Sequence, residues 1–358
     1  MSRAACCLSL LALVAGVPSF PPPITANAVA LQQTIDKATM SAVPQTLKIQ
    51  AGNYIFSNTS LQIANARNLA IEAYNVTFVF YYGFGVDISQ CHNLSVRGLT
   101  LDSDPPNYAQ GVVRSVTNTT TIVAEFDDRF LFPDTTTQPF SSPGGTGDAK
   151  VMFWDPHTKL TLVPGSGINF MNSSTPLGKA GAGAGGGSWQ VLLKKTPLVA
   201  PPVGSLVTIF PRRGITWRNQ NSSAVLAEDV TIHAGGNMGF LEQLGAGGHT
   251  YRRVAIVRKP GSDGLMALNA DGFHSTSVGT GPTLEDSEIS FTGDDHLNIL
   301  ARMLVVCESL DAANSSSNTS SSLAVIDMSG GGIRTGDEMK FFELLPGKAP
   351  GRNPLLGR

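Results

Sequence analysis

The chain has 358 residues, of which 15% are charged, a formal net charge of -2, 38 glycines and 22 prolines. That length can bury a large core, and the Gly and Pro content suits turns and strands better than long helices. The near-neutral balance has no basic stripe, which excludes a nucleic-acid binder working through a positive face. No Cys/His zinc spacing, Ser-His-Asp elbow or dinucleotide loop is present, so no cofactor is expected.

Residues 1–19 read as a secretory signal. Arg3 supplies the positive start, residues 4–17 the apolar run, and Ala15-Gly16 a place for cleavage. The run is too short for a membrane span, and stable membrane insertion is not expected. Eight Asn-x-Ser/Thr sequons begin at Asn58, Asn75, Asn93, Asn118, Asn172, Asn221, Asn314 and Asn318. With the signal they fit a secreted, extracellular glycoprotein. Cys6 and Cys7 leave with the signal, while Cys91 and Cys307 lie too far apart along the chain to pair and are expected to be free and buried.

Residues 20–103 begin with a short helix over 26–37, suited to capping an open sheet end, followed by strands at 46–49 and 52–56. Residues 60–71 then match residues 85–96 at an offset of 25: Leu61 falls on Val86, Ile63 on Ile88, Asn68 on Asn93 and Ile71 on Val96. Short alternating runs repeating at that interval are the mark of a β-solenoid, and paired asparagines suit stacked turns that bond side chain to side chain.

The rhythm breaks over 104–213. Strands are expected there at 112–116, 121–126, 150–154, 160–163, 189–193 and 205–210, which predicts a small antiparallel β-barrel or sandwich inserted between coils. Residues 178–188, mostly Gly and Ala, read as a linker. Trp154, Trp189 and Trp217 read as core rather than as sugar platforms, and Asp102 and Asp104 as turn caps at the junction.

Coils resume over 214–311. Glu228-Asp-Val-Thr-Ile-His233 is followed 24 residues later by Arg252-Arg-Val-Ala-Ile-Val257, and Asp271 stands 24 residues before Asp295. Adjacent strands lie about 4.8 Å apart, so this spacing puts Asp271 and Asp295 on neighbouring rungs with Asp294 beside them. Ionised acids repel one another, and a fold that gathers three has a use for them. Residues 312–358 hold a Ser-rich loop and an incomplete β-segment. The fold class is therefore all-β: a right-handed parallel β-helix carrying an inserted antiparallel domain.

Carboxylate groups suit glycoside hydrolysis, one donating a proton to the leaving oxygen and another activating water. Asn269-Ala-Asp-Gly-Phe273 with Gly293-Asp-Asp295 resembles the Asn-Thr-Asp-Gly and Gly-Asp-Asp signatures of polygalacturonases, glycoside hydrolase family 28. A resemblance covering more of the chain is to the α-1,3-galactosidases of family 110 and their pectin-lyase-fold relatives. It rests on Leu99-Thr-Leu-Asp-Ser-Asp-Pro105 with Gln110-Gly111, on Glu228-Asp-Val-Thr-Ile232 with Gly236-Asn-Met-Gly-Phe240, and on Ala270-Asp-Gly-Phe-His274 through Asp295-His-Leu-Asn-Ile299. The resemblance implies an inverting hydrolase with Asp294 as general acid and Asp271 with Asp295 as bases. Two departures stand out: Leu300 occupies the place of a family histidine, and the Gly-His-Gly and Arg-x-Lys motifs of polygalacturonases are missing.

His274, His296 and Asn298 lie beside the acids as candidate contacts to sugar hydroxyls. Arg258 and Lys259, one repeat before Asp271, are candidates for binding an acidic sugar or for the base of a lyase. Three readings follow. The first is a secreted inverting hydrolase of a galactose-containing or related glycan. The second is a polysaccharide lyase whose acids bind Ca²⁺ while a basic residue takes a proton. The third is a non-catalytic glycan-binding or cell-surface β-helix protein. Each has a glycan or polysaccharide as partner, and the sequence leaves the oligomeric state open.

Overall fold

The structure is a computed structural model that describes residues 25–57, 59–81, 83–134, 149–177 and 187–300, with two further strands beyond. The signal segment, most of the Gly/Ala linker and the sequons at Asn58, Asn314 and Asn318 lie outside the described residues. The chain divides into two compact units, Met1–Ala301 and Arg302–Arg358. Among the described residues no helix is long and apolar enough to cross a membrane.

The first unit opens with the helix α1 (Ala26–Thr39), whose Ala28, Leu31 and Ile35 are buried. These three side chains join the core that holds Leu61 and Ile63, so one helix face closes the first strands as the sequence suggests. Then come β1 (Gln45–Lys48), β2 (Gly52–Phe56), β3 (Leu61–Ala64), β4 (Arg67–Phe80), β5 (Val86–Ser89) and β6 (His92–Ser103). Each strand pairs in parallel with the one a repeat later. Leu61 lies against Val86 and Ile63 against Ile88, the register expected from the 25-residue match. The Nδ2 of Asn93 donates to the Oδ1 of Asn68 at 2.7 Å, and both residues take left-handed φ values, 54° and 53°. Asn tolerates that conformation because its short polar side chain bonds locally.

The chain then leaves to build β7 (Ala109–Asn118), β8 (Thr121–Phe126), β9 (Lys150–Trp154), β10 (Ile168–Pro176), β11 (Gly187–Leu193) and β12 (Leu206–Phe210). These six antiparallel strands close a barrel in the order β10-β11-β8-β7-β12-β9. The expected strand at 160–163 is a turn with a single bridge, Leu162 to Trp154, and β10 takes the sixth place. β10 carries Asn169, Asn172, Ser173 and Ser174, so its alternation is weak. It holds because Asn169 is buried with its Nδ2 on the carbonyl of Lys195. Trp154 and Trp189 are core, as is Trp217 beyond the barrel.

After the barrel the parallel sheets continue as though uninterrupted. Strand β13 (Trp217–Gln220) lies directly on β5, with Trp217 against Val86 and Asn219 against Ile88 across 131 residues of sequence. There follow β14 (Ser223–Glu228), β15 (Thr231–Ile232), β16 (Phe240–Gln243), β17 (Thr250–Arg252), β18 (Ala255–Ile256), β19 (Phe273–Thr276), β20 (Thr283–Glu285), β21 (Glu288–Ile289) and β22 (Leu297–Leu300). One sheet has ten strands and another six, in the order β22-β19-β16-β13-β5-β3. In the second unit, β23 (Leu304–Ser309) pairs antiparallel with β24 (Leu323–Asp327). The rest of the expected β-segment, beyond Asp327, lies outside the described residues.

Inward positions stack as an apolar column: Leu61, Val86, Trp217, Phe240 and Phe273 are buried in one register, and Leu297, half exposed, follows in the same register. Phe240 is fully buried, with ring centroids of Trp217 at 5.6 Å and Tyr251 at 5.1 Å. Burying such a ring contributes roughly 1.5–3 kcal/mol. Outward positions carry a charge column, Lys48, Glu72, Arg97, Glu228, Arg252 and Glu285, in which the sign alternates at every step. A slip of one repeat would put like charges together, so the column defends the register. Arg252 and Arg253 are thus held by Glu228, Glu285 and Asp229.

The late spacing is not uniformly 24. Ile256 follows Ile232 at 24 residues, but Gly235 pairs with Leu268 across 33 before Leu268 pairs with Thr292 across 24. The additional residues form a loop between Ile256 and Leu268.

Candidate functional site

Asp271 precedes β19, and Asp294 and Asp295 precede β22, the strand that pairs with it. The backbone N–H of Gly272 donates to the carbonyl of Asp295 at 2.8 Å, and that of Phe273 to the carbonyl of His296 at 3.0 Å, so the two acidic motifs sit on paired segments. The motif glycines are needed for that approach. A Cβ on Gly272 would meet the Ile289 side chain at 2.2 Å, and one on Gly293 would meet the Asn269 carbonyl at 2.6 Å.

Asp271 is buried. Its Oδ2 lies 2.7 Å from the Nδ1 of His274 and accepts from the Nδ2 of Asn298 at 3.2 Å, while its Oδ1 lies 3.4 Å from an Arg212 nitrogen. Burial pushes this carboxyl up, but the bond and charge of His274, the Asn298 amide and the charge of Arg212 outweigh it. The net result is a carboxyl held below its ordinary value, hence a carboxylate.

Asp294 is held differently. Its Oδ2 is 2.6 Å from the Nζ of Lys150 and 3.1 Å from the second terminal nitrogen of Arg212. Lys150 is nearly buried, and both of these cations come from the inserted barrel: Lys150 opens β9 and Arg212 follows β12. One guanidinium therefore touches two of the three acids, which keeps the contacted oxygens within about 9 Å of each other by hydrogen-bond reach. Asp295 is exposed and accepts from Asn298 at 3.5 Å, a long contact; among the described residues it meets no cation. Asn298 thus bridges Asp271 and Asp295 as Arg212 bridges Asp271 and Asp294.

The other sequence candidates divide. His274 and Asn298 are in the cluster. His296 is exposed beside it, with its side chain in no hydrogen bond among the described residues. Arg258 and Lys259 have their partners elsewhere. Arg258 donates to the carbonyl of Leu265 at 2.9 Å, with its guanidinium 3.6 Å from the Phe291 ring centroid; Lys259 lies 2.6 Å from Asp102. Both belong to the loop that lengthens the repeat. Leu300 is in register with Thr276 and half exposed.

Lys150 and Arg212 were not legible as site residues. The one local hint at Lys150 is a lone charge opening the apolar run Val-Met-Phe-Trp, which is buried throughout. Among the described residues no group of three or more His, Cys, Asp or Glu is placed to hold a metal ion.

No protein-family profile matches the chain, and no curated protein matches it. Three solved structures resemble it loosely. One, from Parabacteroides merdae and provisionally named a glycosyl hydrolase, is 12% identical with a TM-score of 0.27, over 78% of this chain and 91% of its own. The tailspike gp49 of Pseudomonas phage LKA1 is 13% identical with a TM-score of 0.20, over 73% and 39%. The gp54 tailspike of Acinetobacter baumannii bacteriophage AP22, solved with a capsular saccharide, is 10% identical with a TM-score of 0.21, over 78% and 44%. The chain spans less than half the length of either tailspike, and at these scores none of the three carries an argument about function.

Proposed function

We propose that the protein is a secreted glycoside hydrolase of inverting, α-galactosidase-like type, built as a right-handed parallel β-helix with an inserted barrel. The observation that carries this reading is the convergence of Asp271 and Asp294 on Arg212 and of Asp271 and Asp295 on Asn298. Three carboxyl groups in one cluster, unequal in environment, are what acid and base roles require.

The roles follow from those environments. Asp271 is the base: it is a carboxylate, and His274 fixes its orientation. Asp294 has one oxygen held by both Lys150 and Arg212, which runs against the proton-donating role that the family resemblance implies for it. Asp295 is the proton donor in this scheme. It is exposed and, among the described residues, meets no cation, so its oxygens are open to a leaving group.

A lyase is less well supported, because Arg258 and Lys259, its candidate bases, are engaged away from the acids. Non-catalytic glycan binding has one observation in its favour: Lys150 and Arg212 already neutralise much of the acidic charge, so the cluster is stable without a reaction to perform. A screen of the purified protein on aryl α- and β-glycosides and on plant or algal polysaccharides separates these readings. Reducing sugar released by the wild type and not by Asp271→Asn supports hydrolysis. Unsaturated products support the lyase, and binding with every glycan left intact supports the third reading.

A further inference from the structure

The loop that lengthens one repeat from 24 to 33 residues builds a second feature. It runs from Ile256 to Leu268 and packs Leu265 and Met266 against Tyr108, Phe130 and Trp154 of the barrel side. The side-chain amide of Gln110 donates to the carbonyl of Asp263 at 3.0 Å and accepts from the N–H of Leu265 at 2.9 Å. Between this loop, the exit from β6 and the barrel lies a cleft of about 230 Å³. None of Asp271, Asp294 and Asp295 lines it.

Its walls combine two ion pairs with an apolar floor. Asp102 is almost fully buried at 7% side-chain exposure, with one oxygen 2.6 Å from the Nζ of Lys259 and the other accepting from the N–H of Ser103. Arg129 reaches Asp263 at 3.1 Å, and Asp104, an exposed acid, stands at the rim. Tyr108, Phe130 and Met266 supply the floor. Each ionic group keeps capacity to spare: a carboxylate accepts up to about four hydrogen bonds, an ammonium donates three and a guanidinium five. Donors and acceptors are therefore both present beside a small apolar surface.

Other ligand classes fit poorly. An anion such as phosphate would face Asp102, Asp104 and Asp263, with Lys259 and Arg129 already paired to two of them and His233 the remaining basic side chain. An apolar ligand would strand the ion pairs without water. A ring bearing several hydroxyls both donates and accepts, and presents C–H faces to an apolar floor. The volume is below the roughly 300 Å³ at which drug-sized pockets begin, so a single ring is the match rather than a chain.

We propose that this cleft, made by the lengthened repeat and the barrel stem, binds one neutral saccharide unit apart from the acid cluster. The proposal stands whether or not the acid cluster hydrolyses anything. Calorimetric titration of the whole protein with galactose and with glucose tests it, using wild type, Ser262→Trp, Asp104→Asn and Asp271→Asn. Ser262 is an exposed loop residue, and an indole there fills the cleft from its rim.

The expected result is a binding event at millimolar sugar that survives Asp271→Asn and weakens at least tenfold in Ser262→Trp. Asp104→Asn, which removes a rim acceptor without adding bulk, should weaken it about threefold or more. Any hydrolysis of a small aryl glycoside should be unchanged in Ser262→Trp. The proposal is overturned if neither sugar binds, if both cleft variants bind as wild type does, or if Asp271→Asn alone removes the event. Binding without hydrolysis by any variant would remove the hydrolase reading and leave this inference intact.

Discussion

Asp271→Asn is expected to lower kcat by about 10²- to 10⁴-fold on every substrate, good leaving group or poor, as removal of a general base does. The base acts on water, so the departing group does not change its importance. Asp295→Asn should show a comparable loss on a sugar or alkyl leaving group and recover most of it on a nitrophenyl one, which departs without a proton. Asp294→Asn separates the two assignments. If Lys150 and Arg212 keep their hold on Asp294 through the reaction, its loss is not rescued by the better leaving group. Rescue in Asp294→Asn and not in Asp295→Asn would mean that substrate draws the cations away and restores the acid role implied by the family resemblance. None of the three changes should unfold a protein whose sheets rest on stacked apolar columns, and unfolding midpoints within a few degrees of wild type would check that.

The second large effect concerns stability and pH. Glu242 is fully buried inside the stacked sheets, in register with Asn219 and Ser275. Ser275 donates to one of its oxygens at 2.6 Å, and the Tyr251 hydroxyl lies 3.3 Å from the other. The Nδ2 of Asn219 donates to that hydroxyl at 2.7 Å, and the indole of Trp217 donates to Asn219 at 3.1 Å. Burial pushes Glu242 up to about 7 from an ordinary 4.5, although Ser275 and Tyr251 act in the other direction. A raised acid binds its proton more tightly in the fold than in the open chain. Its contribution is therefore complete below pH 4.5 and lost as pH rises through 7, a change on the order of 3 kcal/mol.

His249 slopes the other way. It is fully buried; its Nδ1 accepts the N–H of Val225, and its Nε2 has no partner. Burial depresses it to about 4 from 6.5, so its contribution is present above pH 6.5 and lost as pH falls through 4. The two windows overlap with opposite signs, and the wild type should show a nearly flat midpoint between about pH 4.5 and 6.5. Glu242→Gln should expose the His249 slope, losing stability on acidification across that range. His249→Gln should expose the opposite slope, losing stability as the solution becomes neutral. Thermal melts at half-unit pH steps read both, and parallel profiles for all three proteins would contradict the account.

How far the sequence reaches can be judged residue by residue. The register of Leu61 on Val86 was legible because the parallel neighbours there are repeat neighbours, so self-similarity is itself a contact map. The same logic places Asp271 and Asp295 on paired segments. It fails where contacts are not periodic. Lys150 and Arg212 meet Asp294 and Asp271 from the barrel, and no repeat relates them. β10 went unread because buried Asn169 interrupts its apolar alternation, while Leu160 and Leu162 imitate a strand in a segment that turns. The place of Arg258 and Lys259 one repeat before Asp271 assumed a constant repeat. The loop from Ile256 to Leu268 carries them to Phe291 and Asp102 instead.

On the proposed function, paired parallel segments bring a water-activating carboxylate and a proton donor to one glycosidic bond. Proton NMR of the first product formed by the wild-type protein tests it most directly. An α-linked substrate identified in the glycoside screen should yield the β-anomer first, with the α-anomer appearing only by mutarotation. The α-anomer as first product would place the two reacting carboxyls at the closer spacing of a retaining enzyme and contradict the assignment of Asp271 and Asp295. Cleavage undiminished in Asp271→Asn, whatever the anomer, would move the reaction away from this cluster altogether.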